Sequence, residues 1–395
     1  MRAFLPRTVV ILGLASLLND MASEMITPLL PLFLVITLGS GPAVVGIVEG
    51  IAEATASLLK LISGWLADRG WNAKGLVVGG YGISNISRPL IALAFGWWLV
   101  LTLRFLDRLG KGLRTAPRDA LIAHAARPGQ LGRSFGFHRA MDHAGAVIGP
   151  LIAFYLLSRG VPLRDMFWYS AVPGAVVVLL LIFALPAQQR PEPGIRTRLQ
   201  WSALDARLKG MVLASGGLAL ATTPEVFLVL WAQSRGLDIA AIPLVWAAAS
   251  LMKMLLVMPA GSLSDKLGRL PVVIFGWSAR IALLVALAFA GSQPSLVWVL
   301  FLAYAGSLAF TEPAERSLIG DSAPTEHRAT LFGIYHLVVG LFALPGAVLF
   351  GLVWQFANQR TAFLMAATLT LLASAALVWM TRRAGKGPGP SATAT

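Results

Sequence analysis

The chain has 395 residues, of which 57% are hydrophobic and only 13% are charged. Soluble domains carry about 25% charged residues, so this composition excludes a water-soluble enzyme and a disordered protein. Apolar runs of about 20 residues, the length that spans a bilayer as a helix, recur along the whole sequence. The sequence therefore predicts a polytopic membrane protein.

The charge balance is strongly basic, with 32 Lys and Arg against 18 Asp and Glu and a net charge of +14. In a soluble chain this excess would point to nucleic acid, because basic patches release counterions on binding phosphate. Lys and Arg also collect in the cytoplasmic loops of membrane proteins, so we expect no nucleic-acid partner. The sequence contains no cysteine, which excludes disulfides, thiolate metal sites and thiol catalysis.

The first apolar run has the outline of a secretory signal, since Arg2 and Arg7 precede the stretch from Val9 to Leu18. The run resumes after three polar residues and continues through Leu38. We therefore expect a retained first helix.

Twelve apolar stretches are predicted as membrane-spanning helices, because a bilayer offers the backbone no hydrogen-bond partners. They cover residues 6–38, 43–67, 75–96, 97–123, 134–158, 162–185, 206–233, 240–263, 269–290, 294–320, 329–354 and 360–381. The fold class is an all-α polytopic membrane protein, and an even number of spans puts both termini on one side.

Loop charge predicts which side that is. The connections at 40–43, 96–98 and 291–294 contain no Lys or Arg. The other set of connections is rich in cations, namely Arg69, Lys74, Arg127, Arg133, Arg190, Arg196, Arg198, Arg207, Lys209, Lys266, Arg269 and Arg328. By the positive-inside rule we expect this set and both termini to be cytoplasmic, in an inner membrane.

The two halves of the chain look like copies of each other at an offset of 197 residues. The recurring pairs are Gly64 and Asp68 with Gly261 and Asp265, Leu121 and Ile122 with Leu318 and Ile319, and Phe135 and Gly136 with Phe332 and Gly333. Six helices return the chain to its starting side, so the repeats are parallel about an axis along the membrane normal. The predicted units are a six-helix bundle at 1–185, a cytoplasmic linker at 186–205, a second bundle at 206–381 and a cytoplasmic tail at 382–395.

A polar signature follows the second span of each half. It reads GWLADR at 64–69 and GSLSDKLGR at 261–269. These loops resemble the G-x-x-x-D-R/K-x-G-R/K signature of the major facilitator superfamily. The second copy fits fully, through Asp265, Lys266 and Arg269, whereas the first keeps Asp68 and Arg69 but lacks the final Gly-Arg pair.

Two further motifs support the resemblance. Arg104 followed by Gly110 and Gly112 is similar to the family pattern R-x-x-x-x-x-G-x-G. The run from Gly145 through Gly149 to Pro150 is similar to a motif seen most in the family's antiporters. It fits a tight helix crossing with a proline kink or a role in limiting proton leak, and both interpretations stay open.

The resemblance implies a secondary transporter built from two six-helix bundles. In the family, the loop aspartate latches the halves together when the protein faces outward, a role that would fall to Asp68 and Asp265. Gly64 and Gly261 would allow close helix approach, as small residues do in membranes.

Ionisable groups inside the predicted spans are costly and are therefore functional candidates. Asp20 and Glu24 lie on one face of the first span, Glu49 and Glu53 on one face of the second, and Arg88 near the middle of the third. We expect Asp20 and Glu24 to carry protons, with Glu53 in the same coupling set.

The fourth span carries charges at 3-4-3-4 spacing, which confines them to a face about 80° wide. They are Arg104, Asp107, Lys111, Arg114 and Arg118. Inside a membrane such a stripe must line water or meet acids. We assign Arg88, Arg104, Asp107, Lys111 and Glu49 to substrate binding, and Arg114 and Arg118 to proton coupling.

The fifth span places His138 and Asp142 four residues apart, and histidine titrates near neutrality. A proton or substrate role and simple packing are both open for this pair, which we include in the coupling set. At the 197 offset, Arg118 and Asp119 correspond to Glu315 and Arg316. We hypothesise that these form a cytoplasmic gate between the halves.

The function that these features favour is proton-coupled export of a small solute by an antiporter, without a cofactor and as a monomer. The substrate class stays open between an organic anion, an organic cation or drug, and a divalent metal bound by oxygen and imidazole. Glu312 is a further binding candidate, as are the aromatic residues Phe137, Trp168, Tyr304 and Tyr335. A membrane-embedded lipid-modifying enzyme and a channel are the alternatives, but the sequence has no DDxxD, HExxH, GxSxG or Walker motif and no filter-like loop.

Overall fold

The computed structural model describes residues 5–68, 71–127, 130–186, 206–321 and 328–384. Within these ranges every regular element is helical, which confirms the predicted fold class. We number the long helical units α1 to α12 in chain order. Those of the first half are α1 (Arg7–Ile26, continued by Leu30–Leu32 and Phe33–Thr37), α2 (Pro42–Asp68), α3 (Ala73–Leu90), α4 (Trp97–Ala125), α5 (Leu131–Ser158) and α6 (Asp165–Tyr169 and Ala171–Ala184).

The second half repeats this organisation. Its units are α7 (Ala206–Ala221 and Glu225–Ser234), α8 (Ile242–Leu267), α9 (Arg269–Phe289), α10 (Pro294–Asp321), α11 (Arg328–Phe356) and α12 (Gln359–Ala384). Each of the twelve predicted spans overlaps one unit, with ends that differ by a few residues. The linker predicted at 186–205 and the tail predicted at 382–395 lie largely outside the described residues.

Ten of these units are long and apolar enough to cross a membrane by composition alone, and the exceptions are α3 and α4. The polar character of α4 comes from its stripe of charges, several of which are buried inside the protein. A transmembrane helix tolerates such residues where they face the bundle interior and find partners there. Tertiary packing therefore explains how α4 takes its place in the bundle.

Two faces of the molecule can be named from the course of the chain. We call the face where α1 begins the terminal face, and the face where α1 ends the distal face. The loops joining α1 to α2 and α11 to α12 lie at the distal face, and the turn joining α8 to α9 lies at the terminal face.

The hydrophobic packing differs between the two faces. Toward the distal face one continuous core is shared by both halves, with Phe33 and Phe167 of the first half and Phe227 and Phe363 of the second among its members. Toward the terminal face each half has a separate core. The distal side is therefore closed in this conformation.

Helices α2 and α11 form the most extensive contact between the halves, and α5 with α8 forms a second. A Cβ atom at Gly351 would lie 2.6 Å from the carbonyl oxygen of Pro42, so the backbones of α2 and α11 are in direct contact. The amide of Ala43 donates to Oε1 of Gln355 at 3.2 Å, which adds a polar link at the distal end. Small residues at such a seam are typical of membrane helices, whose association depends on close van der Waals packing.

Candidate functional site

A cavity of about 380 Å³ lies between the two halves. The first half contributes only residues of α2, and the rest of the lining comes from the second half. Four carboxylates, those of Glu49, Glu53, Glu312 and Glu315, line it. Among the described lining residues Arg280 is the one cation, and hydroxyl and aliphatic side chains complete the wall.

The four carboxylates of this cavity differ in their exposure. Arg104 donates to both carboxylate oxygens of Glu49, at 3.1 and 3.2 Å, and Nε1 of Trp277 donates to Glu315 at 2.6 Å. The side chains of Glu53 and Glu312 are exposed at the surface of the cavity. Two of the four acids are thus presented directly to whatever occupies it.

Arg280 is held by neutral groups. Its guanidinium is 3% exposed and donates to the hydroxyls of Thr311 at 2.8 Å and Thr222 at 3.4 Å. This buried arginine was not among the residues assigned to the site from sequence. Its single charge in an apolar span was the available signal.

A buried ion cluster joins α2, α3 and α4. Asp107 lies 3.0 Å from Nε of Arg88 and 3.3 Å from Nη1 of Arg104, and these three residues are 1–3% exposed. Arg88 also donates to side-chain oxygens of Asn19 at 3.1 Å and Asn85 at 3.0 Å. Charge-assisted bonds of this kind hold helices in fixed positions.

The structure does not place Arg88, Arg104 or Asp107 on the cavity wall, where a substrate-binding role would require them. The spacing placed Arg104 and Asp107 on one face of α4, but neighbouring helices cover the distal part of this face and bury both residues. We therefore assign these three residues to structural support. Lys111, on the same stripe, is exposed.

The remaining cations of α4 also contact residues of their own half. Arg114 is buried, donates to the Ser84 hydroxyl at 2.7 Å and lies 4.4 Å from the centre of the Tyr81 ring. Arg118 pairs with its neighbour Asp119 at 2.9 Å. Arg114 and Arg118 thus have partners on α3 and α4.

Three predicted coupling residues come together between α1 and α5. The Ser16 hydroxyl donates to Oδ1 of Asp142, and Nδ1 of His138 lies 3.5 Å from Oδ2 of the same carboxylate. Asp20, whose Oδ1 accepts from the Asn19 amide at 3.0 Å, has Asp142, Lys111 and Arg114 among its electrostatic neighbours. The arrangement places two carboxylates and an imidazole in one cluster, which we call the α1–α5 acid cluster.

Glu24 has a partner in the other half of the protein. Nε1 of Trp246 on α8 donates to its Oε2 at 2.9 Å. Nζ of Lys253 lies 5.7 Å from the centre of the Trp246 ring and 2.9 Å from the Glu225 carboxylate. Sequence reasoning did not assign Trp246, because a tryptophan in an apolar span carries no signal of its position.

The glycines of α5 form a tight helix crossing. A Cβ atom at Gly149 would lie 2.5 Å from the carbonyl oxygen of Met21, and one at Gly145 would overlap the carbonyl oxygen of Leu17. Both glycines and Pro150 are buried. The geometry supports close packing of α5 on α1, which brings the α1–α5 acid cluster together.

Replacing Gly149 with Ala is expected to lower the free energy of unfolding by about 1–3 kcal/mol, because the added methyl group overpacks the contact with Met21. The matched control is Gly136→Ala on the same helix, where no described heavy atom lies within 4 Å of the new Cβ. The control should leave stability unchanged or raise it by up to about 1 kcal/mol. Equal thermal unfolding midpoints for the two variants would contradict the crossing.

The second signature loop forms the turn between α8 and α9. Gly268 has a φ of 90°, which other residues rarely adopt, and Arg269 donates to Ser264 at 2.8 Å and to Asp265. Asp265 is thus paired within its own loop, while Lys266 is exposed. Among the described residues, a Cβ at Gly261 would lie an ordinary 3.7 Å from Cβ of Pro313, and close helix approach at this glycine stays a prediction.

Part of the predicted motif set cannot be located. Arg69 lies outside the described residues, as do the side-chain surroundings of Gly64, Asp68 and Arg316. In the described part, Arg118 bonds to Asp119 and Glu315 bonds to Trp277, so the predicted contact between Arg118 and Glu315 is not formed in this conformation. The gate stays a prediction for the conformation that is closed at the terminal face.

The aromatic candidates are dispersed. Tyr335 lines the cavity. Tyr304 is fully buried and donates to the carbonyl oxygen of Thr223 at 3.0 Å, Phe137 packs against Gly13, and Trp168 is 44% exposed near the distal end of α6. No group of three or more His, Asp or Glu side chains that could hold a metal ion occurs in the part of the chain that was searched, the described residues.

Comparison with known proteins gives consistent matches along the chain. A family model described as Major Facilitator Superfamily matches residues 12–251 and 211–395. An uncharacterized MFS-type transporter of Methanocaldococcus jannaschii is 31% identical over 386 residues, 95% of each chain. The multidrug resistance protein MdtH of Salmonella arizonae is 26% identical and aligns with 85% of this chain and 82% of its own.

The fold is also that of solved transporters. The crystal structure of a point mutant of the nucleoside transporter NupG superposes with a TM-score of 0.81 at 15% identity, covering 94% of this chain and 99% of that one. At this identity the likeness concerns the fold alone.

Proposed function

This chain belongs to the Major Facilitator Superfamily, and we propose that it is a proton-coupled exporter of organic cations. The observation that carries the proposal is the cavity between the halves, with four carboxylates and one arginine in its described lining. Its volume of about 380 Å³ falls within the range of pockets for drug-sized molecules.

The charge of the cavity favours a cation over an anion. Glu53 and Glu312 are exposed to it, whereas Arg280 is buried against two hydroxyls. Charges interact more strongly where the protein excludes water, so the exposed carboxylates attract a cation. The arginines that would have suited an anion, Arg88 and Arg104, do not line the cavity, and they are paired with Asp107 and Glu49 respectively.

The aliphatic part of the lining and the Tyr335 ring suit the apolar body of an organic cation. A relative that carries the name multidrug resistance protein supports this substrate class. A divalent metal is not proposed, because no group of three or more His, Asp or Glu side chains that could hold one occurs among the described residues.

Proton coupling is assigned to the α1–α5 acid cluster together with Glu24. Carboxylates and histidines inside membrane proteins commonly form proton relays. Glu24 bonds to Trp246 of the other half, so a change of its protonation would act on the contact between the halves. The proposal also includes export of the solute, a monomeric protein in the inner membrane and cytoplasmic termini. The distal side is closed in the present conformation.

The charge preference is tested by binding of a matched pair of ions, tetraphenylphosphonium and tetraphenylborate, to the purified full-length protein. We expect the parent to bind the cation at least about tenfold more tightly than the anion, which corresponds to about 1.4 kcal/mol. The double variant Glu53→Gln and Glu312→Gln should lose this preference, because both exposed carboxylates are gone.

The control for this measurement is Asp165→Asn, which removes an acid at the start of α6 on the distal face. It should retain the cation preference of the parent. Tighter binding of the anion by the parent would contradict the proposed substrate class.

A further inference from the structure

A second cavity, which we call the distal cavity, lies at the distal face of the second half. Its volume is about 290 Å³, and it is formed where α7 and α9 end and α12 begins. Arg235, Phe289, Asn358, Gln359 and Arg360 line it together with two alanines. It is separate from the cavity between the halves and has no part in the function proposed above.

The charges of the distal cavity all have one sign. Arg235 and Arg360 line it, and its described lining contains no carboxylate. Arg235 makes a long bond of 3.5 Å to the amide oxygen of Gln359, and its Nε is buried without a hydrogen-bond partner among the described residues. The guanidinium carbon of Arg360 lies 4.7 Å from the centre of the Phe289 ring.

The start of α12 adds to the positive potential. Arg360 is in its first turn, no acid occupies that turn, and Asn358 caps the helix by accepting from the amide of Thr361 at 2.8 Å. A cation at a helix N-terminus is unfavourable, because the helix dipole is positive there. Two guanidinium groups and a helix N-terminus thus surround the distal cavity. An anion bound there would stabilise all three positive groups.

The equivalent region of the first half is arranged differently. The repeat offset relates Ala92 to Phe289 and Arg164 to the residue after Arg360. Arg164 donates to the carbonyl oxygen of Ala92 at 2.8 Å and lies 5.4 Å from the ring centres of both Phe33 and Phe95. In the first half Arg164 is thus bonded inside the protein, whereas in the second half Arg235 and Arg360 line the distal cavity.

The position of the distal cavity indicates where an anion would come from. Helix ends at the distal face lie at the level of lipid headgroups, and the apolar side chains nearby, Phe289 and Phe356, are 59% and 76% exposed. Arginine binds phosphate through parallel N–H donors, and basic pockets between transmembrane helices bind anionic headgroups. We propose that the distal cavity binds a phosphate group, supplied by an anionic phospholipid of the distal leaflet.

The test is lipid retention by the full-length protein, measured by native mass spectrometry after titration with phosphatidylglycerol or phosphatidylcholine. We expect the parent to retain phosphatidylglycerol preferentially. The double variant Arg235→Gln and Arg360→Gln should bind it at least about tenfold more weakly, since charge-assisted hydrogen bonds are lost. Arg360→Gln alone should lose part of the affinity, and because Arg360 is exposed this variant is expected to fold.

The matched control is Arg159→Gln, which removes another distal arginine, one that lies 5.2 Å from the centre of the Tyr155 ring outside the distal cavity. It should bind phosphatidylglycerol like the parent. A parallel titration with inorganic phosphate separates the sources. If the parent binds inorganic phosphate and the double variant does not, the phosphate site is supported. If the parent binds inorganic phosphate but not phosphatidylglycerol, the lipid origin is overturned. Equal retention of phosphatidylglycerol by the parent and the double variant would overturn the proposal.

Discussion

Replacing Asp20 with Asn is expected to abolish solute accumulation driven by a pH gradient while leaving solute exchange intact. For one proton per solute, each pH unit supplies about 1.4 kcal/mol, enough for about tenfold accumulation. Asn cannot take up and release a proton, so the variant should accumulate no solute. Exchange should persist, because the cavity is lined by residues of α2 and the second half.

The measurement uses proteoliposomes with an imposed pH gradient and a panel of organic cations, with ethidium as the first probe. Solute exchange without a gradient is measured on the same preparations. Asp165→Asn serves as the control for removal of an aspartate outside the predicted proton path. Full gradient-driven accumulation in Asp20→Asn would remove this residue from the coupling scheme.

Replacing Asp107 with Asn is expected to destabilise the protein by about 3–5 kcal/mol, because it leaves Arg88 and Arg104 buried without their shared carboxylate. Glu49 would still pair with Arg104, but Arg88 would keep only the amide oxygens of Asn19 and Asn85 and the carbonyl oxygen of Asn19. The change is measured as the free energy of unfolding in detergent.

Two further variants test whether the buried ion cluster contributes more to stability than an exposed ion pair does. Asp119→Asn removes a carboxylate that is 43% exposed beside Arg118, and such pairs contribute at most about 1 kcal/mol. Replacing Arg88 with Gln together with Asp107→Asn should recover part of the loss, since the uncompensated charge is removed as well. A loss for Asp107→Asn no larger than for Asp119→Asn would show that the cluster does not support the bundle.

Both predictions concern charges that looked alike in the sequence. Asp20 and Asp107 are each a single aspartate inside an apolar span. The structure distinguishes them through their neighbours, since Asp107 is paired with Arg88, Arg104 and Arg108, whereas the Asp20 carboxylate accepts a hydrogen bond from the Asn19 amide. A carboxylate paired with arginines of two helices ties those helices together, whereas for Asp20 we propose a role in proton coupling.

The amino-acid sequence determined the membrane class, the helical fold and the twelve spans, because hydrophobicity over about 20 residues depends on local composition alone. It also determined the duplicated halves and the family, since the loop signatures and their repetition at an offset of 197 residues are visible in the sequence itself. Spacing on a helix further predicted that His138 and Asp142 would meet, because residues four apart share a face.

Only the tertiary structure decided what each face meets. Periodicity defined the charged face of α4, but the packing of α2 and α3 against it buried Arg104 and Asp107 and brought Arg88 of α3 into contact with Asp107. The same limit explains why the contact of Trp246 with Glu24 was missed. It also explains why the sequence did not distinguish the tight crossing at Gly149 from the ordinary contact of Gly261 with Pro313. The rotation of each helix about its axis results from the packing of all twelve, and no single segment of sequence contains it.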